Sequence, residues 1–212
     1  MLGLIKKDLF LLKGNLVYFL VIALVYSFMI VGGSFDGSFI MILPFIAVVM
    51  FLSTFSYDGF NKWDSYAITL PVDRKEIVMG KYISAIIIII LSSIMGLFIY
   101  CLISLLPNQI YDIEYVLEEY IGAIFSIIIV ISIMFPLIFK FGIEKARILL
   151  FVCVFGFIII LELISNYVDF DNLFEVVNIL DKWWFIVIPL VAILFILISY
   201  FISYRIYSKK EF

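Results

Sequence analysis

The sequence predicts an all-α membrane protein: six transmembrane helices, an amphipathic helix at the N-terminus, and both termini on the cytoplasmic side. The first observation is composition. Of the 212 residues 66% are hydrophobic and 15% charged, against about 45–50% apolar and about 25% charged in a soluble domain. A chain this short keeps much of its surface wet if it folds in water, so most of that apolar surface must face lipid. The second is six apolar runs, each near the ~20 residues that cross a bilayer as a helix. The third is charge segregation. The chain has 14 Lys and Arg. Lys6, Lys7 and Lys13 precede the first run; Lys62, Arg74, Lys75 and Lys81 lie between the second and third; Lys140, Lys145 and Arg147 between the fourth and fifth; Arg205, Lys209 and Lys210 after the sixth. Only Lys182 falls on the other side. The positive-inside rule then places both termini in the cytoplasm, and an even number of spans agrees.

The elements follow in order. In residues 1–13 Leu2, Ile5, Leu9 and Leu12 share one helical face and Lys6, Lys7 and Lys13 lie off it, the pattern of a helix lying in the membrane interface. Gly14 separates it from the first span. Spans are predicted at about 15–33, 38–55, 82–106, 119–139, 148–167 and 183–204. The first has no small-residue cleavage site after it and reads as a retained span. Runs such as Ile86–Ile90 look strand-like, but lipid admits only helices and closed barrels, and the runs do not alternate as barrel strands do. Pro44, Pro136 and Pro189 fall within spans and favour kinks, either static or hinge-like. The outer loops are acidic and too short to fold alone, and Trp183 and Trp184 suit the outer interface. The whole chain, 1–212, is one membrane domain with no internal repeat.

The most charged stretch of the basic side is 56–81. Phe60, Trp63, Tyr66, Ala67 and Leu70 are spaced three or four apart, one face of a short helix. Pro71 disfavours helix at Leu70. Asp73 then offers an N-cap, with Glu76 three residues on completing a capping-box-like pattern. A second helix is expected to start at Arg74 and run unbroken into the third span. Two readings stand: a surface helix resting on the headgroups, or aromatic anchors that fill a groove on a cytosolic partner.

These residues carry a resemblance. FSYDGFNKWDSYAITLPVDRKEIVMGKY resembles the cytoplasmic loop of ABC-2-type transporter permeases of the short, six-span bacterial group, through Tyr57-Asp58, Trp63, Tyr66, Thr69-Leu70-Pro71-Val72, Arg74-Lys75 and Lys81-Tyr82. The ending ISYRIYSKKEF is similar to that group's as well. The resemblance implies that 1–13 is an elbow helix and that 56–72 is a coupling helix docking on a separate ATPase, with contacts from Asp58, Phe60, Lys62, Trp63, Tyr66, Leu70 and Arg74. It implies a bacterial plasma-membrane exporter of two permeases, as a homodimer, and two ATPases. The group includes permeases of phenol-soluble modulin exporters, which points to amphipathic or hydrophobic peptides as cargo.

The remaining residues narrow the chemistry. There is no G-x-x-x-x-G-K-[ST] loop to cradle phosphates, so ATP and Mg are expected on the partner and no cofactor on this chain. The chain has no histidine, which removes Ser-His-Asp and Cys-His catalysis and HExxH zinc sites. Membrane proteases of the Abi type need EExxxR; Glu118-Glu119 is not followed by that Arg. Cys101 and Cys153 each sit in an apolar run and read as small hydrophobes. No basic block resembles a nucleic-acid footprint. Glu162, inside the fifth span, is a candidate for the substrate cavity by default of its depth, or it snorkels toward water. An ion-coupled carrier and a non-pumping immunity protein remain as alternative functions.

Overall fold

The protein is described here by a computed structural model covering residues 1–33, 41–106, 113–152, 155 and 184–210. Among the described residues there are helices and turns and no strand. The isoleucine-rich runs are helical, as the lipid constraint on backbone hydrogen bonds demands. The main helices are α1 (Leu2–Leu12), α2 (Leu16–Val31), α3 (Ile42–Phe60), α4 (Trp63–Ala67), α5 (Arg74–Ser104), α6 (Ile113–Phe141) and α7 (Trp184–Ser208). A 3₁₀ turn over Lys13–Asn15 joins α1 to α2 without a break. Among the described residues five helices are long and apolar enough to cross a membrane: Leu2–Val31, Ile42–Phe60, Arg74–Ser104, Val116–Phe141 and Val187–Ser208. The expected fifth span, 148–167, is helical over 148–152 and at 155; its remainder lies outside the described residues.

Two details differ from the sequence reading. α3 starts at Ile42, so Pro44 sits in its first turn; residues 38–40 of the expected span lie outside the described residues. The backbone N–H groups there have no intrahelical acceptor, so proline costs nothing and no kink results. Pro136 and Pro189 do lie inside α6 and α7. The predicted short helix reaching back through Phe60 is also interrupted. α3 carries on to Phe60, and Lys62 takes a left-handed conformation (φ 49°) before α4 begins.

The core lies between α3, α5, α6 and α7. Phe51, Phe55, Phe135, Phe139, Tyr82 and Tyr207 are all buried and meet ring to ring, as in the Tyr82–Phe135 pair at 4.7 Å and the Phe55–Phe135 pair at 5.3 Å between centroids. Lipid supplies no hydrophobic drive for helix association, so packing and interhelical hydrogen bonds must do it. The Tyr82 hydroxyl bonds Ser199 (2.6 Å) and Ser203 (2.8 Å) on α7, and Ser199 donates to the Ser132 carbonyl on α6 (2.6 Å). Tyr120 on α6 donates to the Ser93 carbonyl on α5 (3.0 Å). By contrast α2 touches α3 and α5 only sparsely. Apolar cavities of about 410 and 300 Å³ lie along it, and Leu20 and Met95 line both.

Candidate docking site at the basic end

One end of the bundle gathers α1, the end of α3, α4, the start of α5 and the end of α7. The Met1 ammonium lies 3.9 Å from Glu76, and Lys210 lies 3.6 Å from Asp64. A cavity of about 140 Å³ brings Trp63, Asp64 and Lys81 together with Gly142, Ile143 and Lys210. The basic segments that charge segregation assigned to one side therefore share one end.

α4 owes its direction to Lys62. The left-handed residue turns the chain sharply after α3, so the aromatic residues expected on one continuous face are divided. Phe60, at the last position of α3, is 88% exposed, and Tyr66 is 57% exposed. Trp63 packs partly against the core, with Lys7 Nζ 4.2 Å from its ring centroid and the Tyr66 ring against it at 5.5 Å between centroids. Ala67 is buried, and Leu70 is half-buried in the turn that closes α4. In that turn Thr69 N–H donates to the Tyr66 carbonyl (3.0 Å), and Val72 N–H reaches back over Pro71 to the Leu70 carbonyl (2.7 Å). Lys62 itself is exposed.

α5 begins at Arg74, as expected, with Asp73 extended at the N-cap. The capping box does not form in full. The Asp73 side chain makes no cap hydrogen bond; its carbonyl accepts from Glu76 and Ile77 N–H (2.9 and 3.2 Å). The Glu76 carboxylate instead faces the Met1 ammonium. Arg74 turns to the end of α7 and donates to the carbonyls of Tyr207, Ser208 and Lys210. The last carbonyls of a helix lack partners, and a guanidinium there supplies both hydrogen bonds and the favourable charge. The Tyr207 hydroxyl donates to Asp64 on α4 (3.2 Å).

Asp58 points inward. Its carboxylate takes Lys7 on one oxygen and Lys81 on the other, both at 2.6 Å. Lys81 also meets Asp8 (2.8 Å) and Thr54 (3.2 Å), and Lys7 meets Asp8 (3.3 Å). Two lysines and two aspartates thus balance in a cluster whose side chains are mostly out of contact with solvent: Asp8 2%, Lys81 7%, Asp58 12%, Lys7 22%. Burial on this scale requires such pairing. Sequence reasoning missed Asp8. Its signal was the i, i+4 stripe Leu4, Asp8, Leu12, an acid in the middle of an apolar line. Of the predicted face Leu9 and Leu12 pack on the core, joined by Leu4, while Leu2 is 76% exposed.

Of the sequence-predicted docking residues, Phe60, Lys62 and Tyr66 present themselves outward, Trp63 and Leu70 are half-buried, and Asp58 and Arg74 serve contacts within the chain. Glu162 lies outside the described residues. Among the described residues no three His, Cys, Asp or Glu side chains converge as metal ligands.

A family model described as ABC-2 family transporter protein matches residues 3–208, nearly the whole chain. No curated protein and no solved structure matches.

Proposed function

The chain belongs to the ABC-2 transporter family, and from that premise we propose that it exports amphipathic or hydrophobic peptides, driven by a separate cytosolic ATPase that grips the basic end. It is a multi-pass membrane protein and the membrane component of an ABC-type transporter; the family implies an associated ATPase subunit. In our reading the basic end is cytoplasmic, the membrane is a bacterial plasma membrane, and the working unit pairs two copies of this chain with two ATPases. ATP and Mg belong to those subunits.

The observation that carries the docking is the exposed pair Phe60 and Tyr66. Both stand at the charged end, on a segment rooted by Trp63, Asp58 and Asp64 in the bundle. Exposed aromatics on a fixed base are what a partner's pocket takes as anchors. Closure of the two ATPases on ATP pulls the anchors together. α5, continuous from Arg74 to Ser104, carries the movement through the membrane, and the packed helices switch between inward- and outward-open arrangements. Proteoliposomes holding this chain and the ATPase that co-purifies with it should move a dye-labelled amphipathic helical peptide only when ATP is present on the ATPase side. Equal movement without nucleotide, driven by an ion gradient, would refute the reading.

A further inference from the structure

The N-terminal amphipathic helix reads in sequence as a membrane anchor. The structure assigns it another role: we propose that α1, the end of α3 and the start of α5 move as one rigid body, with Asp8 and Lys81 as the positioning residues that keep α1 in it. The inference rests on the docking reading above only for what drives the movement.

The buried cluster carries it. Lys81 reaches Asp8 on α1 and Asp58 on α3 at once, at 2.8 and 2.6 Å, while Lys7 on α1 reaches Asp58 from the other side at 2.6 Å. Sliding α1 along α5 would strip these charges of partners in a place of low dielectric, where each unpaired ion is strongly penalised. Sterics add to this. A Cβ placed on Gly80 would lie in van der Waals contact with Leu4 Cβ, at 3.4 Å, so α1 and α5 pack closely here. α2 borders the two apolar cavities and touches α3 and α5 only sparsely. Between α1 and α2 lies the 3₁₀ turn Lys13–Asn15, whose last residue donates to Ser53 on α3 (3.2 Å); a short element of this kind often marks a hinge. Movement imposed on the docking segment therefore reaches α2 through α1, by pivoting at 13–15.

The Leu4–Gly80 approach suits a disulfide, whose Cβ atoms are about 3.5–4.5 Å apart. In a Cys101→Ser/Cys153→Ser background, Leu4→Cys/Gly80→Cys should cross-link on oxidation and raise the melting temperature of the permease alone. With the co-purified ATPase in proteoliposomes, the oxidised protein should transport as well as the reduced one. Asp8→Asn should bind the ATPase normally yet lose at least about fivefold in peptide moved per ATP, and oxidation of the cysteine pair in that variant should restore it. Restoration by a covalent tie separates positioning from mere loss of folding. Arrest of transport by the cross-link, unaltered coupling in Asp8→Asn, or no rescue on oxidation would each overturn the proposal. If Asp8→Asn does not fold, the cross-link decides alone. Failure of the unmodified chain to stimulate any ATPase would count against the docking reading instead; the permease-only melting shifts then judge the joint, and a cross-link that lowers the melting temperature overturns it.

Discussion

Phe60 and Trp63 are three residues apart and do different things. Phe60 is 88% exposed, so Phe60→Ala should leave stability within about 0.5 kcal/mol while weakening ATPase binding by about tenfold or more, as loss of an aromatic anchor does. Trp63 packs inward beneath Lys7, and Trp63→Ala should lower stability by about 2 kcal/mol, less than for a fully buried indole. Thermal melts beside a binding titration separate the two effects. The sequence spacing grouped both residues on one face; it could not register that Lys62 adopts φ 49°, since nothing in a lysine signals a left-handed backbone. Asp8 was hidden for a different reason. Its partner Lys81 is 73 positions away, and an acid next to two lysines reads locally as part of a solvated face. Asp8→Ala should cost about 3–5 kcal/mol, because it leaves Lys81 under-compensated in a buried site. Asp8→Leu with Lys81→Met removes both charges together and should cost much less, which the same melts would resolve.

At the scale of elements, the helices were legible wherever lipid dictated them, and their ends wherever proline did. Pro71 and Asp73 set the start of α5 at Arg74 as read from sequence, though Glu76 pairs with the N-terminus rather than closing a capping box. The strain at Lys62 makes a clean prediction. A left-handed backbone costs an ordinary residue about 1–2 kcal/mol that glycine escapes. Lys62→Gly should therefore be neutral or stabilising and Lys62→Val destabilising, with ATPase affinity falling in step for Val because α4 loses its direction. The Arg74 contact with the end of α7 was beyond sequence reading, which had assigned Arg74 to the partner. Arg74→Ala should let the last turn of α7 fray, and hydrogen exchange of amides 206–210 should speed up by about tenfold or more.

For the whole molecule, composition and the placement of lysines and arginines carried the fold class: an apolar chain with its basic residues gathered on one side has few places to go but a bilayer. The structure adds that this end is knit together, with α1, α4, α5 and α7 sharing ion pairs and hydrogen bonds. Orientation has a direct chemical test. In intact cells, single cysteines at Lys62, Lys145 and Lys209 in a Cys101→Ser/Cys153→Ser background should resist an impermeant maleimide, and one at Lys182 should react. The central claim is that the exposed aromatic pair at the basic end is the motor's grip. It is tested most directly by measuring how the reconstituted permease stimulates its co-purified ATPase, comparing the native chain with Phe60→Ala/Tyr66→Ala. We predict that the double variant inserts and folds as the native chain does, with a small loss of stability from the Tyr66 contact with Trp63, but binds the ATPase at least about tenfold more weakly and no longer stimulates it. Native-like stimulation by the double variant would contradict the account.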